Sequence, residues 1–411
     1  MTIGKDLQAI TDPAKVYVIG NEEKHSTAAR LEGIGEYYFS QKLREIDEMN
    51  RAGKQVINLG IGSPDLPPHR DVISALHEEA LKPGQHAYQN YKGSPVLRTA
   101  ISKWYARWYG VSLNAEKEIL PLIGSKEGIM HICMTYVNEG DVVLIPNPGY
   151  PTYRSAARIA GANVVDYTLL KENNWFPDFA AIEKNDLQKA KLMFVNYPHM
   201  PTGQLPSLEL FGELVEFAKK HHIILVHDNP YSFILNDRPM SLLAVPGAKE
   251  VAVELNSLSK SHNMAGWRIG MLVGNQGIIN DVLRFKSNMD SGMFLPLQLA
   301  AAKALELQQD WHDEVNKVYR QRREKIYQLL DSIGCVFDSR QAGLFVWAKI
   351  PEGYKDGYEL SDSILHGSNV FITPGSIFGS AGDQYIRVSL CSTEENIGEA
   401  IRRIAHSEMP G

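Results

Sequence analysis

The chain has 411 residues, a net charge of −6 and ordinary globular usage, with 44% hydrophobic and 22% charged residues. This length fits a large domain with a second lobe, and the negative charge argues against a nucleic-acid partner or a basic membrane-binding surface. Three cysteines without a Cys-x-x-Cys pair argue against a disulfide framework or a metal site such as zinc, and the lack of a signal-peptide pattern or a membrane-length apolar run predicts a cytoplasmic protein.

The first third of the chain is predicted to hold short helices separated by loops rich in glycine and proline. Residues 1–30 are polar and weakly patterned, and we interpret them as an N-terminal arm. The loop Gly60–Asp65 follows a short predicted strand, and its glycines and proline disfavour regular structure. Apolar spacing predicts helices over 36–49, 71–81 and 95–109, and a strand over 56–59.

In the middle of the chain, short apolar runs alternate with helical segments. Near-continuous apolar runs suit strands that are buried on both faces of a mostly parallel sheet, and the alternation is typical of the α/β class. The predicted strands cover 141–145, 191–195, 222–226, 251–255 and 269–273, and the helices between them include 127–137 and 208–220.

The pattern changes after about residue 295. Long helices are followed by short strands and a final helix, which indicates a second, smaller α+β lobe. The predicted helices cover 298–307, 311–333 and 394–406, and the strands cover 343–348 and 385–390. We therefore predict an N-terminal arm with part of the small domain (1–61), a large ligand-binding domain (62–297) and a C-terminal small domain (298–411).

One lysine, Lys260, lies in a run of small and polar residues, Ser257–Gly270, after a predicted strand. A lysine near another cation, or removed from water, can lose its proton and form a Schiff base with an aldehyde. Arg268 follows eight residues later, and arginine binds phosphate with a planar fork. An aldehyde and a phosphate on one molecule describe pyridoxal phosphate (PLP). For the pair alone, a surface lysine and arginine on a loop is the simpler interpretation, so other motifs must decide.

Other strand ends carry residues that could hold such a cofactor, because ligands of open α/β sheets bind at the carboxyl ends of the strands. Ser125 and Lys126 open a helix, where backbone N–H groups bind phosphate, although Ser125 could simply cap the helix. Tyr150 stands between two prolines and could stack on a planar ring, with a buried tyrosine in a tight turn as the alternative. Asn196 follows the next strand and could exchange a hydrogen bond.

Two charged residues lie in apolar strands. Asp228 ends one of them, and a buried carboxylate needs a partner. A protonated pyridine nitrogen would be such a partner, with Tyr231 reaching the phenolic oxygen, and a helix or turn cap is the alternative. Arg387 lies inside the run 385–390, where an arginine is rarely buried unless paired. A substrate carboxylate is the functional interpretation for Arg387, and an internal salt bridge is the alternative.

Taken together, these motifs resemble those of the class I/II aminotransferases, which are fold-type-I PLP enzymes, over nearly the whole chain. The shared motifs are Ser-x-Ser-Lys, Gly-x-Arg-x-Gly, Asp-x-x-Tyr, Pro-Thr-Gly and a C-terminal arginine, at 257–260, 266–270, 228–231, 201–203 and 387. They occur in the family's order. The resemblance implies a mostly parallel seven-stranded sheet in a large PLP-binding domain, with a smaller α+β domain.

The resemblance also implies a role for each matching residue in cofactor chemistry. Lys260 is expected to be the Schiff-base lysine and then the general base of the proton shift. Asp228 is expected to keep the pyridine nitrogen protonated, Tyr231 to bond the phenolic oxygen, and Tyr150 to stack on the ring. The expected phosphate ligands are Ser125, Lys126, Ser257, Arg268 and, across a homodimer with shared active sites, Tyr88.

Further positions are expected to bind the substrate. Arg387 is expected to bind the α-carboxylate, helped by the backbone of Gly62 and by Asn196. Tyr38, with its neighbour Tyr37, is expected to cover the site from the second lobe.

The chain departs from the family in the Pro-Thr-Gly loop. The family usually has Asn-Pro-Thr-Gly, with that asparagine bonded to the phenolic oxygen, and Met200 stands here instead. Methionine cannot donate this bond. Either His199 or Asn196 substitutes for the asparagine, or Tyr231 acts alone.

The expected function is that of an aminotransferase, which moves an amino group from an L-amino acid to a 2-oxo acid by a ping-pong mechanism. Met293 and Phe294 stand near the place where relatives that use dicarboxylates carry a second arginine. They predict a neutral or apolar donor, with 2-oxoglutarate or pyruvate as acceptor. The alternative on the same fold is a PLP-dependent carbon–sulfur lyase or a related synthase. A PLP sensor fused to a DNA-binding domain is disfavoured, because the first 30 residues are too short for a helix-turn-helix domain with a linker.

Overall fold

The structure is a computed structural model that describes residues 27–407, so most of the predicted arm, residues 1–30, lies outside the described residues. The strands are β1 Ile57–Asn58, β2 Ile119–Leu122, β3 Val142–Asn147, β4 Asn163–Thr168, β5 Ala190–Asn196, β6 Ile224–Asp228, β7 Ala252–Ser257, β8 Gly270–Gly274, β9 Val336–Phe337, β10 Phe345–Lys349, β11 Val370–Phe371, β12 Thr373–Pro374 and β13 Tyr385–Ser389. The α-helices are α1 Tyr38–Arg51, α2 Arg70–Ala80, α3 Pro95–Tyr109, α4 Ser125–Tyr136, α5 Pro151–Ile159, α6 Phe179–Ile182, α7 Leu208–His221, α8 Ala248–Val251, α9 Leu258–Ser261, α10 Gln276–Lys286, α11 Leu295–Ala304, α12 Gln309–Ser332, α13 Gly357–Ser368 and α14 Glu394–Ala405.

A seven-stranded sheet carries the middle of the chain, in the order β2-β8-β7-β6-β5-β3-β4. Strands β4, β3, β5, β6 and β7 run parallel, whereas β8 is antiparallel to both of its neighbours, β7 and β2. All of β7 and β8 and nearly all of β5 is buried, because both faces of the sheet are covered. The α/β fold predicted from the sequence is confirmed.

The sequence pattern did not indicate the two edge strands of this sheet, β2 and β4. Strand β2 contains Pro121, and a proline argues against a strand assignment. Strand β4 is half-exposed and includes the polar residues Asn163 and Asp166, so it lacks a continuous apolar run. Apolar runs therefore identified the buried central strands and missed the edges.

A four-stranded antiparallel sheet, β12-β13-β10-β9, packs with α12 and α13 and forms the predicted α+β part, beside the short parallel pair β1–β11. Residues 36–407 form one compact unit, and residues 27–35 form a separate one with a short 3₁₀ turn at Ala29–Leu31. The predicted domain boundaries after residues 61 and 297 stay predictions. Among residues 27–407, none of the helices combines the length and apolarity that crossing a bilayer requires.

The carboxyl ends of β5, β6 and β7 bring together polar residues that are distant in sequence. Asn196 lies opposite Asp228 in the register of β5 and β6. Ser257 ends β7 and leads directly into α9, which carries Lys260. Because parallel strands end at one edge of the sheet, this edge is where a ligand would meet all three strands.

Candidate active site

A cleft of about 530 Å³ opens at this edge of the sheet, which is a typical volume for a small-molecule site. Most of the predicted site residues line it, namely Gly62, Ser125, Lys126, Tyr150, Asn196, Asp228, Tyr231, Ser257, Lys260, Arg268 and Arg387. The two predicted residues that do not line it are Tyr38 and Tyr88.

The prediction for Tyr38 is corrected by the structure, because Tyr37 and not Tyr38 lines the cleft. Helix α1 begins at Tyr38, and neighbouring residues of a helix point about 100° apart. The Tyr38 ring instead packs near the ring of Tyr358, with centroids 5.9 Å apart. Tyr88 is 92% exposed, and its expected contact across a dimer stays a prediction.

Lys260 lies on the short helix α9, directly after β7. The Ser257 hydroxyl caps this helix by accepting a hydrogen bond from the Ser259 N–H at 3.0 Å, which fixes the turn. The Lys260 ammonium donates to the Gly62 carbonyl oxygen at 2.5 Å. Burial lowers the pKa of the Lys260 amine, and the nearby Arg387 lowers it further. Both effects shift the protonation equilibrium of Lys260 toward the neutral, nucleophilic amine.

Asp228 ends β6 inside the cleft and is only half satisfied. Its Oδ2 accepts a hydrogen bond from the Tyr153 hydroxyl at 2.8 Å, whereas Oδ1 has no partner among residues 27–407. Burial raises the pKa of the Asp228 carboxyl to about 6. The alternative of a helix or turn cap is not supported, since the carboxylate bonds a tyrosine and no backbone N–H in the described part of the chain.

The start of α4 and Arg268 form a cradle for an anion. Gly124 is the N-cap residue, with a φ of 82° and no side-chain cap, so Ser125 is the first helical residue and does not cap the helix. The free backbone N–H groups of this turn favour an anion. A Cβ on Gly124 would lie 2.1 Å from Nη2 of Arg268, so a side chain at this position would displace the guanidinium from the turn. A Cβ on Gly270 would similarly lie 2.4 Å from the Ser125 nitrogen.

Arg387 is 4% exposed and forms no salt bridge with a carboxylate of the described residues, so the internal salt-bridge interpretation is wrong. Its Nη2 donates to the Gly60 carbonyl oxygen at 2.8 Å, and its Nη1 donates to Sδ of Met200 at 3.3 Å. The guanidinium carbon lies 3.8 Å from the Phe345 ring centroid and 4.6 Å from that of Phe378. Burial lowers the pKa of Arg387 to about 10, which leaves it charged at neutral pH.

The contacts around Met200 bear on which residue replaces the asparagine of the family, and Asn196 and Tyr231 both line the cleft. The Asn196 amide is occupied by backbone groups, since it donates to the Asp228 carbonyl at 2.6 Å and accepts from the Met200 N–H at 2.7 Å. His199 lies outside the cleft lining with Nδ1 2.8 Å from the Thr202 hydroxyl, and burial lowers its pKa to about 3. These contacts favour the alternative in which Tyr231 acts alone.

Sequence reasoning missed Tyr153 and the aromatic rings around Arg387. Tyr153 lies in the first turn of α5, three residues after Tyr150, which immediately precedes the helix. Side chains three residues apart come together at this spacing, and the two ring centroids are 5.5 Å apart. That spacing was an available signal. Phe345 and Phe378 come from separate segments of the chain, so no local pattern could connect them with Arg387.

The residues in the cleft fit PLP. The free Oδ1 of Asp228 suits a protonated ring nitrogen. The glycine-lined turn beside Arg268 suits a phosphate. The buried amine of Lys260, with its lowered pKa, suits an aldehyde.

Known proteins resemble this chain in sequence and in structure. The profile of the family "Aminotransferase class I and II" matches residues 54–404. LL-diaminopimelate aminotransferases of Dehalococcoides mccartyi and Halothermothrix orenii are 44% and 39% identical, over 92% and 93% of this chain and 97% and 98% of their own lengths. The apo structure of BacF from Bacillus subtilis is 37% identical with a TM-score of 0.89, covering 93% of this chain and 98% of that one.

A probable N-succinyldiaminopimelate aminotransferase from Thermus thermophilus is 32% identical with a TM-score of 0.83, covering 89% of this chain and 98% of that one. The family match includes every predicted site residue from Gly62 to Arg387, and the relatives named here cover 89–93% of this chain. The chain therefore belongs to the class I and II aminotransferases, which are PLP-dependent enzymes of fold type I.

Proposed function

We propose that the enzyme moves an amino group from LL-diaminopimelate to a 2-oxo acid such as 2-oxoglutarate by a ping-pong mechanism. The observation that carries the proposal is the buried Arg387, which lies in the same cleft as Lys260 and has no carboxylate partner in the described part of the chain. A buried cation without a counter-ion is costly, and the α-carboxylate of a donor would supply one. The relatives named LL-diaminopimelate aminotransferase support the choice of donor.

This donor replaces the neutral or apolar one that Met293 and Phe294 predicted. The names of the relatives point to one specific donor instead of neutral amino acids in general. Neither side chain lines the cleft of the protomer. Met293 is buried, and the Phe294 ring packs near that of His86.

LL-diaminopimelate carries an amino-acid group at each end, so its second carboxylate needs a cation away from Arg387. Lys126 lines the cleft, and its ammonium lies 4.8 Å from the centroid of the Tyr37 ring. We propose Lys126 for this second carboxylate, whereas the sequence prediction placed it on the phosphate. Ser125, Ser257 and Arg268 remain the proposed phosphate ligands.

When bound, PLP supplies an aldehyde that takes up the amino group and a ring that withdraws electrons. The Lys260 amine, with its lowered pKa, would accept the proton of the substrate α-carbon and return it two atoms away. The Asp228 carboxylate would hold the proton on the ring nitrogen through its free Oδ1. Tyr231 would donate to the phenolic oxygen, and Tyr150 would pack against the ring from its place in the cleft.

The proposal also includes assembly into a homodimer whose active sites are shared between the two subunits. The proposed location of the enzyme is the cytoplasm. Tyr88 is 92% exposed in the protomer, and a large aromatic side chain of this exposure suits an interface. His86 precedes Tyr88 by two residues, and its ring packs near the ring of Phe294. Tyr88 would reach the phosphate of the partner subunit.

A half-reaction without acceptor tests the proposed function. The holoenzyme mixed with LL-diaminopimelate should convert its cofactor stoichiometrically to pyridoxamine phosphate, which absorbance records, and added 2-oxoglutarate should then yield glutamate. Release of ammonia and a keto acid without any acceptor would contradict amino transfer and favour the lyase. Turnover of aspartate and glutamate alone would contradict the proposed donor.

A further inference from the structure

A buried cluster of ionisable side chains lies behind the first turn of α4, outside the cleft lining. It comprises Glu127 and His131 of α4, Lys286 at the end of α10, and Asp290 just beyond α10. Lys286 is 1% exposed and pairs with Asp290, and its Nζ lies 3.9 Å from Oε1 of Glu127. The same oxygen lies 3.1 Å from Nε2 of His131. Burying several charges together is costly, and none of these four side chains has a part in the chemistry proposed above.

Glu127 connects this cluster to the anion cradle. It is the third residue of α4, and its Oε2 accepts a hydrogen bond from the Ile123 N–H at 3.1 Å. In a capping box a glutamate at this helix position accepts from the N–H of the N-cap residue, whereas Glu127 reaches one residue beyond the N-cap Gly124, to Ile123. The bond constrains the turn Ile123–Ser125, which is the turn whose glycine leaves room for Arg268.

The charge of Glu127 needs compensation at this place. A carboxylate two residues from Ser125 repels a phosphate in the cradle unless a cation neutralises it. The side-chain atoms of Glu127, His131 and Asp290 that are able to bind a metal ion lie within 4.8 Å of one another. The cation that contacts both carboxylates is the Lys286 ammonium, so the protein supplies the neutralising charge itself.

We propose that Glu127 and Lys286 are positioning residues for phosphate binding. Lys286 holds and neutralises the Glu127 carboxylate, and Glu127 holds the turn that presents the Ser125 backbone and leaves space for Arg268. Both residues act through this turn and touch no ligand themselves. The inference rests on the proposed phosphate site at Ser125 and Arg268.

The test compares the equilibrium dissociation constants of the apoenzyme for PLP and for pyridoxal, which lacks the phosphate. The ratio of the two constants isolates the phosphate contribution, because the ring and the aldehyde are shared. Glu127→Leu and Lys286→Met should each raise the Kd of PLP by about tenfold, and that of pyridoxal by less than about twofold. Glu127→Gln keeps an acceptor for the Ile123 N–H, so it should retain more of the ratio than Glu127→Leu.

Arg284→Met is the matched control, because Arg284 lies on α10 two residues before Lys286, is 79% exposed and, among residues 27–407, forms its salt bridge with Asp281 at the surface. For Arg284→Met, the ratio of the Kd of PLP to the Kd of pyridoxal should equal that of the wild type. An equal loss for both ligands, or an unchanged ratio in variants with a native circular-dichroism spectrum, would overturn the inference. A wild type that binds PLP no better than pyridoxal would refute the proposed phosphate site instead. If Lys286→Met does not fold, the comparison of Glu127→Leu with Glu127→Gln decides.

Discussion

The hydroxyl of Tyr153 donates a hydrogen bond of 2.8 Å to Oδ2 of Asp228, while Oδ1 has no partner among the described residues. The carboxylate is therefore buried and satisfied on one side only. Burial raises the pKa of Asp228, and the bond from Tyr153 lowers it in part, which leaves it at about 6. A group held in this way lowers the stability of the empty protein and is stabilised by a ligand that donates to the free oxygen.

The first prediction concerns the stability of the apoenzyme. The Asp228 pKa is about 6 in the folded protein against an ordinary 3.8, so the folded state binds the proton more tightly. Stability should therefore fall as the pH rises through this window and stay lower above it. Asp228→Asn removes the charge, keeps an acceptor for Tyr153 and should stabilise the apoenzyme at pH 7.5 by about 1–3 kcal/mol. Urea unfolding at a fixed protein concentration measures this difference, which should shrink toward pH 4.5. A variant less stable than the wild type at pH 7.5 would contradict the argument.

The second prediction concerns cofactor binding and pH. Tyr153→Phe removes the bond that lowers the Asp228 pKa, so this pKa should rise above about 6. A smaller fraction of the Asp228 carboxylate is then charged near neutrality. As the pH falls, the variant should lose PLP affinity at a higher pH than the wild type does, and near pH 8.5 its affinity should equal that of the wild type. Titration of the PLP Kd against pH measures the shift. Tyr136→Phe is the control, since the Tyr136 hydroxyl bonds Asp281 outside the cleft lining. An identical pH profile for Tyr153→Phe and the control would refute the coupling.

The core of the candidate site was predictable because its main residues each break a local pattern. Asp228 and Arg387 are charges in apolar strands, and Lys260 lies in a run of small residues after a strand. Tyr153 could not be paired with Asp228 from the sequence, because 75 residues separate them and only the sheet brings them together.

The choice between Tyr37 and Tyr38 depended on where α1 begins, and a shift of one residue turns a side chain away from the cleft. Such a boundary is set by tertiary packing and is poorly indicated by apolar spacing. The contact of Lys286 with Glu127 likewise depends on the packing of α10 against α4, which a linear pattern does not encode.

The third prediction concerns the donor carboxylate. Arg387→Met should lower kcat/KM for the donor by about 100- to 1000-fold, because a buried charged hydrogen-bond pair contributes about 3–4 kcal/mol. The PLP Kd should change by less than about twofold, since no phosphate contact is proposed for Arg387. Steady-state kinetics and PLP titration measure the two effects. Arg320→Met is the control, because Arg320 is half exposed and pairs with Asp237 at the surface. A loss confined to PLP affinity would contradict the assignment.

The fourth prediction separates two roles of Lys126. If its ammonium binds the second carboxylate of LL-diaminopimelate, Lys126→Met should raise KM for that donor by about three- to tenfold. A donor without a second carboxylate, such as 2-aminobutyrate, should be affected much less. Lys117→Met, at an exposed position outside the cleft lining, is the control. A fall in PLP affinity with unchanged donor preference would instead return Lys126 to the phosphate.

The fifth prediction isolates the space that Gly124 leaves for Arg268. Gly124 and Gly110 both have a positive φ, of 82° and 67°, so an alanine at either position should cost about 1 kcal/mol of backbone strain. A Cβ at Gly110 would have no atom within 4 Å, whereas one at Gly124 would lie 2.1 Å from Nη2 of Arg268. The guanidinium must then move away from the turn.

Gly124→Ala should therefore raise the PLP Kd by about tenfold and leave the pyridoxal Kd nearly unchanged, while Gly110→Ala should lose similar stability with no change in either constant. Fluorescence titration with both ligands, together with urea unfolding of both variants, measures these effects. Equal dissociation constants of Gly124→Ala and Gly110→Ala for PLP would mean that Arg268 still contacts the phosphate from a different position. The tight approach at Gly124 would then be a matter of packing, and the phosphate would depend on the helix N–H groups alone.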